Sequence, residues 1–200
     1  MRIQLFLILL LLVPPAFSQE FNGGFVGGLS ASQVDGDTYS GFNKIGFLAG
    51  GWVSHSIYSN IAGQFELIYI GKGAYESNNK TSPPVYHNLR LHFIDLPVLI
   101  DFYYRDNIVF NLGVAPEILI HHKLQDEYGL VEDVGQEYNK LSMSAIIGVG
   151  YKVFDKFIFN VRYNYSVFPI RPHANNQTWF LNRGMYNNCL TVAVFYQISF

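Results

Sequence analysis

The sequence has 200 residues, enough for one domain with a core, and a formal net charge of −2. This charge supplies no basic field for a phosphate backbone, so we expect no nucleic-acid partner. Half of the residues are hydrophobic and 16% are aromatic, yet only 14% are charged, against about 25% in a typical globular domain. Such a balance is typical of a protein that is partly surrounded by lipid.

Residues 1–18 have the pattern of a secretory signal peptide. Arg2 precedes an apolar run over residues 3–13, and the small residues Ala16 and Ser18 precede Gln19. We therefore expect cleavage near Ser18/Gln19 and a mature domain over residues 19–200. The run is shorter than the roughly 20 residues of a transmembrane helix. No later segment approaches the roughly 18 uninterrupted apolar residues of a transmembrane helix, so a membrane crossing would have to use strands. The only cysteine, Cys189, gives no disulfide framework.

Three strands are predicted first along the mature chain, over residues 21–32, 44–54 and 60–72. Glycine blurs the alternation of their faces, and we expect these glycines to relieve crowding in a tightly curved barrel. The glycines concerned are Gly24, Gly28, Gly46 and Gly50.

Five further strands show a clear period of two, over residues 89–104, 110–121, 142–153, 157–166 and 190–200. In the fourth of them, Phe159 and Val161 face away from Arg162. Pro116 has no amide donor, so we expect a local irregularity or a bulge there rather than a regular ladder. The total of eight strands is even, as bacterial barrels require.

The predicted connections alternate in length. Those over residues 57–59, 105–107 and 155–156 are short, whereas those over 33–43, 72–88, 123–140 and 168–187 are long. Short periplasmic turns and long external loops are typical of outer-membrane barrels. The sequence therefore predicts an all-β fold, an eight-stranded antiparallel transmembrane β-barrel with short periplasmic turns and long extracellular loops.

Charged side chains of both signs fall on the predicted inner face. Side chains fill the interior of an eight-stranded barrel, so we expect these groups to pair as a polar network that leaves no room for a pore. Asp95 and Asp101 lie about 20 Å apart along one strand and could not share a proton transfer. The predicted network contains Glu66, Asp95, Asp101, Glu117, Lys152 and Arg162.

Short motifs occur at residues 27–30, 46–50, 93–100, 186–188 and 196–200. Together they resemble the PorT-type outer-membrane β-barrel domain of Gram-negative bacteria, with Asp95 in place of the family's glutamate and Leu96 in place of its isoleucine. The resemblance covers the mature chain and implies an outer-membrane location. For some members it also implies a part in type IX protein secretion. The closing residues Tyr196, Ile198 and Phe200 are similar to the signal that the barrel-assembly machinery reads.

The functional expectations follow from this architecture. We expect a structural or partner-binding role in the cell envelope, with outer-membrane lipid around the barrel and an envelope protein at the external loops. Neither the six histidines nor the carboxylates show a spacing that assembles a nucleophile with a base, so we expect no enzyme, no metal and no cofactor. A lipid- or peptide-modifying enzyme is the alternative. The loop residues of interface-enriched types are Tyr75, Tyr86, Tyr138, Trp179 and Arg183.

Overall fold

The structure is a computed structural model and describes residues 21–36, 41–78, 85–105, 107–131, 137–172 and 184–198. These residues form antiparallel strands. The strands are β1 (Phe21–Asp35), β2 (Lys44–Tyr58), β3 (Ile61–Asn78), β4 (Val85–Asp95), β5 (Val98–Tyr104), β6 (Ile108–Asp126), β7 (Gly129–Leu130), β8 (Leu141–Phe154), β9 (Phe157–Ser166), β10 (Arg171–Pro172) and β11 (Gly184–Ile198).

The sheet closes on itself. Each long strand pairs with the next along the chain, and β1 pairs with β11 from Gly23↔Ile198 to Asp35↔Tyr186. Strands β4 and β5 together form one strand of the ring, because both pair with β3 on one side and with β6 on the other. The described residues thus form a ring of eight strands, which confirms the predicted fold class.

Pro97 lies between β4 and β5, and Pro116 lies on the facing part of β6. The ladder of β4 and β5 with β6 is interrupted there, but Asp95 pairs with Glu117 and Val98 with Val114, so the register is the same on both sides. Each proline removes one donor, while its carbonyl still accepts a hydrogen bond from a neighbouring strand. The irregularity expected at Pro116 is therefore present as a break in this ladder, and no bulge accompanies it.

A bulge lies four residues beyond Pro116 along β6. His92 pairs with His121 but Phe93 pairs with Leu119, so Ile120 is an extra residue in β6. Pro116 lacks one hydrogen-bond donor but keeps the register, whereas the extra residue Ile120 shifts the register by one residue. The alternation of polar and apolar residues in the sequence does not show where this shift occurs.

Inward-facing glycines allow the strands to approach one another. A Cβ atom at Gly28 would lie 2.2 Å from the carbonyl oxygen of Val192, and one at Gly24 would lie 1.8 Å from that of Tyr196. Both glycines lie at the seam between β1 and β11 that closes the barrel. The predicted relief of crowding is confirmed at these two positions.

Apolar side chains form a belt around the outside of the barrel. Phe25, Leu29, Leu112 and Ile147 are each more than half exposed. The ten steps from Ile94 to Tyr104 span roughly 33 Å along the strand. At a tilt of about 40° this corresponds to roughly 25 Å, the height of the apolar band in outer-membrane barrels. The belt therefore has the dimension of the hydrocarbon layer.

The two ends of the barrel differ as expected. Ser59–Asn60 and Asp155–Lys156 make short turns at the end where β1 begins and β11 ends; we call it the turn end. At the same end, β5 stops at Tyr104 and β6 starts at Ile108. The longer connections lie at the opposite end, the loop end. There β3 continues to Asn78, β4 begins at Val85 and β6 continues to Asp126. These strands are longer than predicted, because their backbone hydrogen bonding continues beyond the last alternating apolar residues.

No helix in the described part of the chain is long and apolar enough to span a membrane.

Candidate functional site

A buried ion network centred on Lys72 occupies the interior of the barrel. Lys72 Nζ lies 2.9 Å from Asp95 Oδ2 and 2.6 Å from Glu117 Oε1. Ser142 donates a hydrogen bond of 2.7 Å to the other oxygen of Glu117, and Ser144 donates to Oε1. Both charged residues of the Lys72–Glu117 pair are 0–1% exposed. The network therefore joins β3, β4, β6 and β8 across the lumen.

A second network lies nearer the turn end. The guanidinium of Arg162 contacts both oxygens of Glu66, at 2.9 and 2.8 Å. Its carbon lies 4.8 Å from the centre of the Phe195 ring. Asn111 donates a hydrogen bond of 2.6 Å to Asp101 and accepts one of 2.6 Å from Asn160. The two-oxygen contact between Arg162 and Glu66 fixes the relative orientation of the two side chains and also pairs their charges.

An apolar layer covers the Lys72 network at the loop end. Leu89, Leu91 and Phe93 of β4 are 0–2% exposed and belong to one packed cluster with Ile170 and Cys189. Lys72 Nζ also lies 5.2 Å from the centre of the Phe93 ring. The ionic groups are thus shielded from the external water, which strengthens each pairing and raises the cost of breaking it.

A small polar cavity lies beyond the second network. It has a volume of about 280 Å³ and is lined by Asp101, Lys152, Trp52 and Tyr103, among other residues. This volume is just below the range of about 300 to 1,000 Å³ that small-molecule sites usually have. Among the described residues, the two networks fill the centre of the lumen, and this cavity forms a recess at the turn end.

The interior residues predicted from sequence lie in different surroundings. Glu66, Asp95, Glu117 and Arg162 take part in ion pairs, and Asp101 is buried and accepts a hydrogen bond from the neutral side chain of Asn111. Lys152 differs from the expectation: it is half-buried at the cavity and, within the described part of the chain, forms no ion pair. Its place near the end of β8 lets the long side chain reach water.

The central cation, Lys72, is absent from the predicted network. The sequence predicts that the strand ends at this residue, where the long connection over residues 72–88 begins. In the structure β3 continues to Asn78, and Lys72 keeps the inward parity of Glu66, Ile68 and Ile70. Continuing the period of two past the last apolar residue would have identified it.

The comparisons with known proteins agree with this geometry. A family model described as outer membrane protein beta-barrel domain matches residues 17–171. The chain belongs to the outer membrane protein β-barrel domain family. The match covers more than half of the 200 residues, and it establishes a small β-barrel protein of the outer membrane. A search among proteins with curated descriptions finds no match.

Solved structures show the same fold at low sequence identity. Ail, the attachment invasion locus protein of Yersinia pestis, has a TM-score of 0.53 and 12% identity, covering 90% of this chain and 99% of Ail. Neisserial surface protein A has a TM-score of 0.51 and 12% identity, covering 90% of this chain and 96% of its own. At 12% identity, these similarities show that this outer membrane β-barrel domain shares the fold of the two proteins.

The residues predicted as loop contacts of this outer membrane β-barrel domain differ in their burial. Tyr75 and Tyr86 are half-buried on β3 and β4, and their rings meet edge to face at 6.1 Å. Tyr138 is 6% exposed and belongs to the apolar layer, so its predicted role as an exposed contact is corrected. It is buried because its ring packs over the lumen, next to His122. Trp179 and Arg183 lie outside the described residues.

The predicted assembly signal is only partly described. Tyr196 is partly exposed on the outer face of β11 and packs against Phe157, with ring centres 5.2 Å apart. Ile198 is half-buried. Phe200 lies outside the described residues, as do the signal peptide and its cleavage site.

Proposed function

We propose that this protein is a closed, non-enzymatic barrel that holds an envelope protein partner at its loop end. The observation that carries the proposal is the closed lumen. Lys72, Asp95 and Glu117 cross it as ion pairs, and the apolar layer lies above them. Because no solute path runs through the centre of the described barrel, we assign the function to its outer surfaces.

The loop end offers a contact surface of suitable composition. Tyr75 and Tyr86 form a half-buried aromatic pair on two strands beyond the belt. Tyrosine contributes a large contact area at low conformational cost and is enriched at protein interfaces. Both residues lie on paired strands (Ser77↔Tyr86 and Tyr75↔Asn88), so a partner would meet a preorganised surface.

Site-specific photocrosslinking in intact cells tests this proposal. A benzophenone amino acid is placed at Tyr75 or Tyr86, and at Tyr104 as the control. Tyr104 is 51% exposed and lies next to the turn end. We expect a discrete heavier protein adduct from the two loop-end positions and none from the control. Absence of adducts at both loop-end positions, or identical adducts at all three, would contradict a loop-end partner.

A narrower assignment rests on the motif resemblance. We propose that the partner belongs to the type IX secretion machinery, since the segment 93–100 resembles PorT-type domains and includes the buried Phe93 and Asp95. Mass spectrometry of the crosslinked adduct tests this assignment. An envelope protein unrelated to secretion would overturn it while leaving the loop-end proposal intact. We also propose that the barrel-assembly machinery reads Tyr196, Ile198 and Phe200 during insertion.

A further inference from the structure

We infer that the outer wall of β4 and β6 binds the phosphate groups of a phosphorylated glycolipid in the outer leaflet. Arg90 pairs with Lys123 and His92 pairs with His121, so four nitrogen-bearing side chains occupy two cross-strand pairs that follow each other on the outer face. Opposed side chains of such pairs lie about 5 Å apart at Cβ. The inference concerns the wall of the barrel and does not depend on the proposed protein partner.

The bulge in β6 is what turns this cluster outward. Glu117 and Leu119 face the interior, so simple alternation would also direct His121 and Lys123 inward. The extra residue Ile120 reverses the parity, and both Ile120 and His121 are exposed. Bulges commonly re-aim side chains in this way. The local irregularity thus places His121 and Lys123 opposite the outward-facing His92 and Arg90.

The cluster lies at the height of lipid head groups. On β4 the belt ends at Ile94, and on β6 it ends at Ile118 and Ile120; the basic residues occupy the next outward positions toward the loop end. A cation placed there can meet a lipid phosphate while the neighbouring isoleucines contact the acyl chains. Because the loop end faces outward, the lipid in question belongs to the outer leaflet.

The electrostatic surroundings favour an anion. His92 is close enough to His121, Lys44 and Arg90 to interact with their charges. Toward the loop end, the nearest acidic residues in these ladders are Glu76 and Asp126; both lie opposite His87, whose side chain alternates to the other face. Toward the turn end, Asp95 and Glu117 are buried in the interior and pair with Lys72. Within the described chain, the ion pairs join only interior residues, so Arg90 and Lys123 have no acidic counterion there.

Hydrogen-bond donors complete the site. The hydroxyl of Tyr69 and Nδ1 of His92 share a hydrogen bond of 2.7 Å, which orients the imidazole and leaves its other nitrogen for a ligand. The rings of His92 and His121 lie 5.8 Å apart. Arginine can bind a phosphate through two parallel hydrogen bonds, and lysine adds a second charge. The arrangement therefore suits a lipid that carries more than one phosphate.

Titration of the purified barrel in zwitterionic micelles tests the inference. The probes are fluorescent lipid A carrying two phosphates, the same lipid with its phosphates removed, and phosphatidylglycerol as a general anionic lipid. We expect bisphosphorylated lipid A to bind most tightly. The Arg90→Ser/Lys123→Ser variant should weaken this binding about thirtyfold, from two lost surface charges.

Two control variants complete the experiment. Arg105→Ser/Lys156→Ser removes two cations at the turn end and should leave the affinity unchanged, and the charge-preserving Arg90→Lys/Lys123→Arg should retain most of it. If the main double variant does not fold, Arg90→Gln and Lys123→Gln replace it, each with a loss of about fivefold. Equal binding of phosphorylated and dephosphorylated lipid, equally tight binding of phosphatidylglycerol, or equal losses in both double-serine variants would overturn the inference.

Discussion

Replacing Lys72 with methionine tests whether the ion network stabilises the barrel. The substitution keeps a similar volume but removes the one cation that, among the described residues, forms ion pairs with Asp95 and Glu117, at 2.9 and 2.6 Å. The two carboxylate side chains are 8% and 0% exposed, so water cannot replace the ammonium group. Breaking a buried pair in this way costs about 3 to 5 kcal/mol. That is a large part of a total stability of about 5 to 15 kcal/mol.

The assay is equilibrium urea unfolding of the barrel in lipid or detergent, followed by tryptophan fluorescence. Trp52 is a suitable probe because it is 5% exposed and packs against Phe195 inside the barrel. We expect the Lys72→Met variant to lose at least 3 kcal/mol of unfolding free energy. Lys156→Met, in an exposed turn, should change it by less than about 0.5 kcal/mol.

A triple variant separates the loss of a cation from the loss of packing. Lys72→Met/Asp95→Asn/Glu117→Gln carries no buried charge at these positions, and Ser142 and Ser144 can still bond to the amide at position 117. We expect it to recover more than half of the lost stability, since replacing a whole buried network is often nearly neutral. A single variant as stable as the wild type, or a triple variant no better than the single one, would refute the reasoning.

Three further predictions concern closure, the lipid face and the lumen. Gly28→Val should block folding, measured as loss of the fast-migrating heat-modifiable form in electrophoresis, because a Cβ there would lie 2.2 Å from a carbonyl oxygen; Gly27→Val, with nothing within 4 Å, should fold normally. Ile147→Arg, at the middle of the belt, should cost about 2 to 4 kcal/mol in urea unfolding, and Leu141→Arg, near its edge, about 0 to 1 kcal/mol; equal costs would argue against the assigned depth. In planar bilayers the wild-type protein should show no single-channel conductance steps, because the ion networks and the apolar layer close the lumen. Steady unitary conductance would contradict a closed lumen.

The amino-acid sequence by itself determined the architecture. Period-two alternation is a local property, so Phe159, Val161 and Arg162 already indicate which face of β9 meets lipid and which faces inward. The alternation of short and long connections predicted the two ends. The inner-face position of Glu66, Glu117 and Arg162 could be derived in the same way.

Only the tertiary structure decided which of these groups meet. Arg162 and Glu66 are 96 residues apart in sequence, and they pair because the stagger of eight strands brings β9 and β3 together across the lumen. The centre of the other network, Lys72, depends on a strand that continues beyond its apolar residues. The extra residue Ile120 reverses a parity that alternation alone gets wrong for His121. Register around a closed ring is a global property, because each strand's position depends on all the others, and no local pattern encodes it.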